Sequence, residues 1–186
     1  MDFCSIASGS SGNCTYTGTD ETALLVDAGI SARQIEKGLH SIDRTAEDID
    51  GILVTHEHSD HVRGLGVLSR RYGIPIYGTR GTLKAIANCS SLGQIDAGLY
   101  REIYVDQDFR VGDVTVHPFE IPHDAAQPSA YRLSHEDTSV AVVTDLGVFS
   151  DYIIENMKGL DAVLLEANHD IRMLQAGPYP YYLKQR

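Results

Sequence analysis

Thr55-His-Glu-His-Ser-Asp-His61 follows directly on the apolar run Gly51-Ile-Leu-Val54, and its reading decides the fold. The run reads as a buried strand carried to Thr55, so the histidines emerge at a strand end. Three histidines and an aspartate within six residues are hard to explain as packing. His56 and His58 stand at i and i+2, so an extended segment turns both to the same side. Asp60 and His61 come as the chain bends into a helix, facing the same point from another direction. Imidazole nitrogens and carboxylate oxygens at this spacing suit zinc or a similar divalent first-row metal. A plain exposed loop with Asp60 as a helix cap would not need the spacing.

Outward from this segment, the chain alternates strands and helices. Phe3 to Ala7 and Asn13 to Tyr16 flank the turn Ser-Gly-Ser-Ser-Gly12 and read as a hairpin. Thr22 to Val26 is a short apolar strand that stops at Asp27-Ala-Gly29, and Ser31 caps a helix to about Leu39. A helix from the histidine motif to Tyr72 ends at Gly73. Ile74 to Tyr77 follows as a strand, and Thr79 caps a helix to about Asn88. Phe109 to Ile121, Ser129 to Leu133 and Ser139 to Thr144 read as strands broken by turn residues. A helix over Ser150 to Met157 and a strand over Asp161 to Leu165 complete the pattern. Two strand-forming halves with interspersed helices predict an α/β sandwich, two sheets face to face with helices outside, as a single domain over 1–186.

The composition narrows the function. The chain has 186 residues, 42% apolar and 22% charged, which is globular rather than disordered or fibrous. Its formal charge of −11 excludes a generally basic nucleic-acid binder, though not a local basic strip. No apolar run reaches the ~18 residues of a membrane span, and Met1 to Ser10 has no basic-then-apolar signal pattern. Cys4, Cys14 and Cys89 are an odd number without metal-type clustering, consistent with reduced thiols. A cytoplasmic protein without membrane partners is expected.

The His-x-His-x-Asp-His element resembles that of the metallo-β-lactamase superfamily, an αββα sandwich with a mono- or dinuclear metal site at one edge. Further elements recur in order: Asp27 after Leu24-Leu-Val26, His123 in Ile121-Pro-His-Asp124, and Asp145 in Val143-Thr-Asp-Leu146. The resemblance implies that His56, His58 and His123 hold one cation and Asp60 and His61 a second. Asp145 would bridge the two, and Asp27 would orient the site. Two zinc or manganese ions are the expected cofactors. Water between two cations loses a proton near neutral pH and becomes a nucleophile, with Asp60 available to accept the proton. The family's final histidine, commonly in a Gly-His segment, has no counterpart after Leu165. There the histidine is His169, in Glu166-Ala-Asn-His-Asp170. The expectation is therefore a chain truncated before the final motif and last helix, with its second cation in question.

Asp145 in place of a cysteine disfavours a true β-lactamase. Ser8-Gly-Ser-Ser-Gly-Asn13, Glu166-Ala-Asn-His-Asp170 and Ala176-Gly-Pro-Tyr-Pro180 are similar to the YycJ/WalJ branch of the superfamily. That resemblance implies a phosphodiesterase or DNA exonuclease with a nucleic-acid substrate. Ser10, Ser11 and Asn13 offer backbone N–H groups and polar side chains to a phosphate, or form a plain hairpin turn. Arg63 lies two residues past the last ligand and within reach of a phosphate, whereas Arg70 and Arg71 read as solvated surface. His169 is a candidate acid for the leaving oxygen, with Glu166 orienting it. His40, His117 and His135 earn no role, and Tyr179, Tyr181 and Tyr182 read as packing before base stacking. The alternatives are a thioester hydrolase of the glyoxalase II kind, or an inactive fragment that covers an exposed apolar edge by forming a homo-oligomer.

Overall fold

The computed structural model describes residues 1–166, and its architecture follows from where apolar side chains alternate. The first sheet runs β1 (Asp2–Ala7), β2 (Cys14–Gly18), β3 (Ala23–Val26), β4 (Gly51–Leu53), β5 (Ile76–Thr79) and β6 (Tyr100–Ile103), neighbours in that order. β1, β2 and β3 pair antiparallel, and β3 to β6 run parallel. The second sheet is ordered β11 (Ala162–Leu165), β10 (Thr138–Val143), β9 (Ser129–His135), β8 (Val114–Glu120) and β7 (Phe109–Val111). It is antiparallel except for the β10–β11 pair.

Four of the helices are α1 (Ala32–His40), α2 (Ser59–Val62), α3 (Leu65–Tyr72) and α4 (Arg80–Ala87), all connecting strands of the first sheet. α5 (Asp151–Asn156) lies in the second half. β3 shows why the layers stack as they do. Leu24 and Val26 face inward onto Val114, Val116, Leu133, Val140 and Val142 of the other sheet. Leu25 faces outward with Ile52 and Ile76 onto Ile35, Leu39, Leu65, Leu68 and Leu83 beneath the helices. A third cluster packs Phe119, Ile121, Ala141 and Val143 against Ile153 of α5. Both faces of the central strands β3 and β4 are thus covered, as a strand buried throughout requires. Two sheets with helices outside match the expected α/β metallo-β-lactamase sandwich.

The local expectations hold in most elements. Ser31 forms a capping box with Gln34, Thr79 caps α4, and Gly73 ends α3 in the left-handed region at φ 70°. Three details differ. The helix expected from the histidine motif to Tyr72 is two helices, α2 and α3. Their junction breaks because the Asp60 carbonyl accepts from the Asn13 amide at 2.7 Å while the Gly64 amide donates to Ala28 O at 2.7 Å. The i, i+4 partners are both diverted to neighbouring loops. β5 begins at Ile76, two residues later than expected, because Pro75 lacks an N–H for the ladder. β6 was not anticipated: Tyr-Arg-Glu-Ile103 is a polar edge strand that lacks an apolar run. Among the described residues, no helix is long and apolar enough to cross a membrane.

Candidate metal centre

The chemistry-bearing side chains meet at the carboxyl ends of β3, β4, β8 and β10, where open parallel α/β sheets bind ligands. Asp27 follows β3, the histidine motif follows β4, His123 follows β8 and Asp145 follows β10. Asp27 and Asp145 both occupy the left-handed region, at φ 62° and 55°, a conformation in which aspartate is among the tolerated side chains. Each therefore turns sharply out of its strand toward the same point.

Glycine makes the close approach possible. A Cβ on Gly29 would overlap the Asp60 carbonyl, and one on Gly12 would press on the Gly29 carbonyl. The Asp27-Ala-Gly29 turn, the Ser-Gly loop and α2 thus stack backbone on backbone. Ala28 N donates to His61 O at 2.8 Å and Gly29 N to Asn13 O at 2.7 Å, completing the scaffold.

Beneath the ligands lies a buried hydrogen-bond network centred on Asp27 and Thr55, each about 1% exposed. Asp27 Oδ1 accepts from the Thr55 amide and Oδ2 from the Thr55 hydroxyl, both at 2.8 Å. Asp27 Oδ2 also lies 2.7 Å from His61 Nδ1. A carboxylate can only accept, so Nδ1 carries the proton and the Nε2 lone pair of His61 points into the site. The Thr55 hydroxyl has given its single proton to Asp27. It therefore accepts from His56 Nδ1 at 3.0 Å, which likewise directs the His56 Nε2 lone pair inward.

Two groups of converging donor atoms result. His56, His58 and His123 form one, and His56, His61 and Asp145 the other, each with its ligand atoms within 4.8 Å of one another. His58 Nδ1 lies 3.1 Å from His56 Nε2 and 3.2 Å from His123 Nε2. Two nitrogens bound tetrahedrally at ~2.05 Å from one zinc ion stand about 3.3 Å apart, so the spacing already matches a cation's first shell. In the second group, Asp145 Oδ2 is 2.8 Å from His61 Nε2 and 3.9 Å from His56 Nε2. It is buried yet has no hydrogen-bond partner among the described residues. An orphaned carboxylate oxygen aimed at lone pairs is the donor set of a cation, and the residues present fit one. Asp60 Oδ2 stands 3.6 Å from His61 Nε2 at the edge of this group.

The electrostatics agree. Burial and the neighbouring His61 and His123 push His56 far down, so this ring stays neutral and able to ligate. His123 is lowered by burial, against the pull of Asp145. Burial opposes charge on His61, but the Asp27 and Asp145 carboxylates outweigh it and raise the ring. Burial opposes charge on Asp145, and its histidine neighbours overcome that and hold its carboxyl low. His56 and His123 are thus kept neutral, while positive charge is favoured at His61 between the Asp27 and Asp145 carboxylates, where a cation would stand in for a proton.

The remaining expected residues take varied positions. Ser10 and Ser11 are exposed on the loop rim, and Arg63 Nη1 donates to Ser11 O at 3.4 Å. Asn13 is instead 4% exposed, inside the site. Arg70 and Arg71 are exposed, as expected, and each is also bonded there: Arg70 to the Leu92 and Gln94 carbonyls at 2.6 and 3.3 Å, Arg71 to Glu36. His169 and Tyr179, Tyr181 and Tyr182 lie outside the described residues. Sequence reasoning passed over Thr55 and Glu57. Thr55 links both histidine tautomers to Asp27, and Glu57 Oε1 accepts from Ala126 N at 2.8 Å, tying the His123 loop to the histidine motif. Only their places inside the motif hinted at roles.

Comparison with known proteins agrees with this geometry. Residues 22–178 match the family described as "Beta-lactamase superfamily domain". The chain is 42% identical to the exodeoxyribonuclease WalJ of Streptococcus pneumoniae over 97% of its own length and 67% of that protein. It is 41% identical to the exodeoxyribonuclease YycJ of Bacillus anthracis, over 100% of this chain and 70% of that one. The Zn(2+)-bound PqqB of Methylobacterium extorquens shares the fold, with a TM-score of 0.71 at 22% identity, over 90% of this chain and 64% of that one. The chain belongs to the metallo-β-lactamase superfamily of hydrolases.

Proposed function

We propose that this protein is a metal-dependent exodeoxyribonuclease that hydrolyses phosphodiester bonds of DNA at a centre of two divalent cations, zinc or manganese. The observation that carries the reading is the pair of donor groups sharing His56, one of three histidines and one of two histidines with Asp145. His56, His58 and His123 would hold one cation. His61, Asp60 and Asp145 would hold the other, with His56 within reach of both groups. Two such cations supply a hydroxide nucleophile at neutral pH and neutralise charge on the phosphate. The choice of DNA over a thioester is supported by the 42% and 41% identity to proteins named as exodeoxyribonucleases.

The chain's own residues do the rest. Asp27 and Thr55 hold His61 and His56 in the ligating tautomer and rotation. Asp60, at the rim of the second group, accepts the proton released by the attacking water. Ser10 and Ser11 offer hydroxyls along the approach, and Arg63 brings the nearby positive charge to the same edge. The overall charge of −11 opposes DNA binding through most of the surface, so affinity concentrates where bound cations reverse the sign. A chain end fits such a local contact better than a long duplex tract.

The test uses the protein loaded with zinc or manganese, with metal content measured by elemental analysis. Two equivalents per chain and release of mononucleotides from linear DNA, with covalently closed circles left intact, are expected. Turnover of S-lactoylglutathione without any cleavage of DNA would overturn the assignment.

A further inference from the structure

Asn13 is held more firmly than a hairpin-turn residue needs. Its amide donates to Asp60 O, its carbonyl accepts from Gly29 N, and its side-chain Oδ1 accepts from Gly9 N at 2.9 Å. The last bond settles which end of the side-chain amide is which. The Nδ2 end therefore points into the metal centre, 3.1 Å from His61 Nε2. It does so from a residue only 4% exposed.

His61 Nε2 has a single lone pair, because Asp27 holds the proton on Nδ1. A cation on Nε2 would take that lone pair and leave the Asn13 N–H without its acceptor. A buried donor that loses its acceptor is costly, and its rigid mounting prevents it from turning to water. An oxygen brought in beside the cation relieves the cost. Three features coincide here: fixed orientation, burial and a position at the edge of the donor set. Together they describe a preorganised hydrogen-bond donor for an incoming anion.

We infer that Asn13 is a phosphate-contacting residue whose Nδ2–H donates to a nonbridging oxygen of the phosphodiester at the His61–Asp145 end of the centre. The inference rests on the phosphodiesterase reading and assigns part of its substrate contact. The Ser-Gly loop then serves to seat this donor. Gly29 is required because a Cβ there would fall on Asp60 O and Asn13 N, and Gly12 because a Cβ there would press on the Gly29 carbonyl.

Thymidine 5′-monophosphate, titrated into zinc-loaded protein by calorimetry, is the probe. Asn13→Asp keeps the acceptor for Gly9 but replaces the donor with a carboxylate oxygen, and Asn13→Ala removes both. Each is expected to bind the nucleotide about ten- to hundred-fold more weakly, with the wild-type number of zinc equivalents. Unchanged nucleotide affinity would overturn the inference. So would loss of zinc, which would make Asn13 a support of the cation site alone. Should neither variant fold, the wild-type protein decides through the ¹⁵N side-chain resonances of Asn13. These are expected to shift when zinc is added and to shift again with the nucleotide, and a missing second shift overturns the contact. DNA cleavage by the wild type with nucleotide affinity unchanged in the variants refutes Asn13 alone. Nucleotide binding without any DNA cleavage refutes the nuclease reading alone.

Discussion

The two ends of the metal centre are built differently. At the inner end His61 is fully buried and its ring is gripped through Asp27, Thr55 and Asn13. At the outer end His58 and His123 are half-buried, and among the described residues their ring nitrogens meet each other and His56. The inner ligands are oriented by the scaffold before any cation arrives. The outer ones are brought together by the segments that follow β4 and β8. Preorganisation at one end and adaptability at the other suit a site that must hold metal firmly and still admit a bulky substrate.

The largest effect should come from breaking what the two ends share. His56→Ala removes a donor from both groups, so zinc content should fall below one equivalent. Activity should drop on the order of 10³-fold or more, since several kcal/mol of charge stabilisation depend on the cations. His58→Ala cuts only the outer group and should retain about one equivalent. Elemental analysis of the two variants side by side checks this, and equal losses would erase the distinction between the ends.

Next in size is the inner scaffold. Asp27 accepts from the Thr55 amide, the Thr55 hydroxyl and His61 Nδ1, three donors on one carboxylate. Asn at this position must turn its own N–H₂ toward one of them. Asp27→Asn should therefore weaken zinc binding by about 10–100-fold, as loss of a ligand's supporting partner usually does. Competition against a chelator measures it. Affinity equal to wild type would mean that the His61 ring is held by packing rather than by Asp27.

Much of this centre was legible in the sequence because its ligands come in a tight cluster and at strand ends. His56, His58, Asp60 and His61 sit within six residues, Asp27 and Asp145 follow apolar runs, and His123 stands in Ile121-Pro-His-Asp124. Strands buried on both faces, such as Leu24-Leu-Val26, announce themselves by continuous apolarity. Illegible were the features set by long-range partners. The break between α2 and α3 depends on Asn13 and Ala28, which are distant in sequence. The bonds of exposed Arg70 could not be read because its carbonyl partners lie 22 and 24 residues away. β6 pairs by backbone along an edge, which demands no apolar pattern.

The smallest expected effect belongs to Glu57, and it sharpens the comparison most directly. Its carboxylate accepts from Ala126 N, and Gln127 O accepts from the Thr79 and Thr82 hydroxyls at 2.6 and 3.0 Å. The loop bearing His123 is thus tied at two points, one to the histidine motif and one to α4. Glu57→Ala cuts the first tie only. The loop should stay in place through the second, while His123 gains freedom that a cation must then remove. The cost of one such bond corresponds to about a five-fold loss in zinc affinity at the outer site. The inner site should be unchanged, and Glu57→Gln, which keeps an acceptor, should recover most of the loss. Stepwise chelation kinetics resolve the two cations. A defect that appears at the inner site instead would show that the ends are mechanically coupled through Thr55 and His56, and that the outer end is as firmly built as the inner.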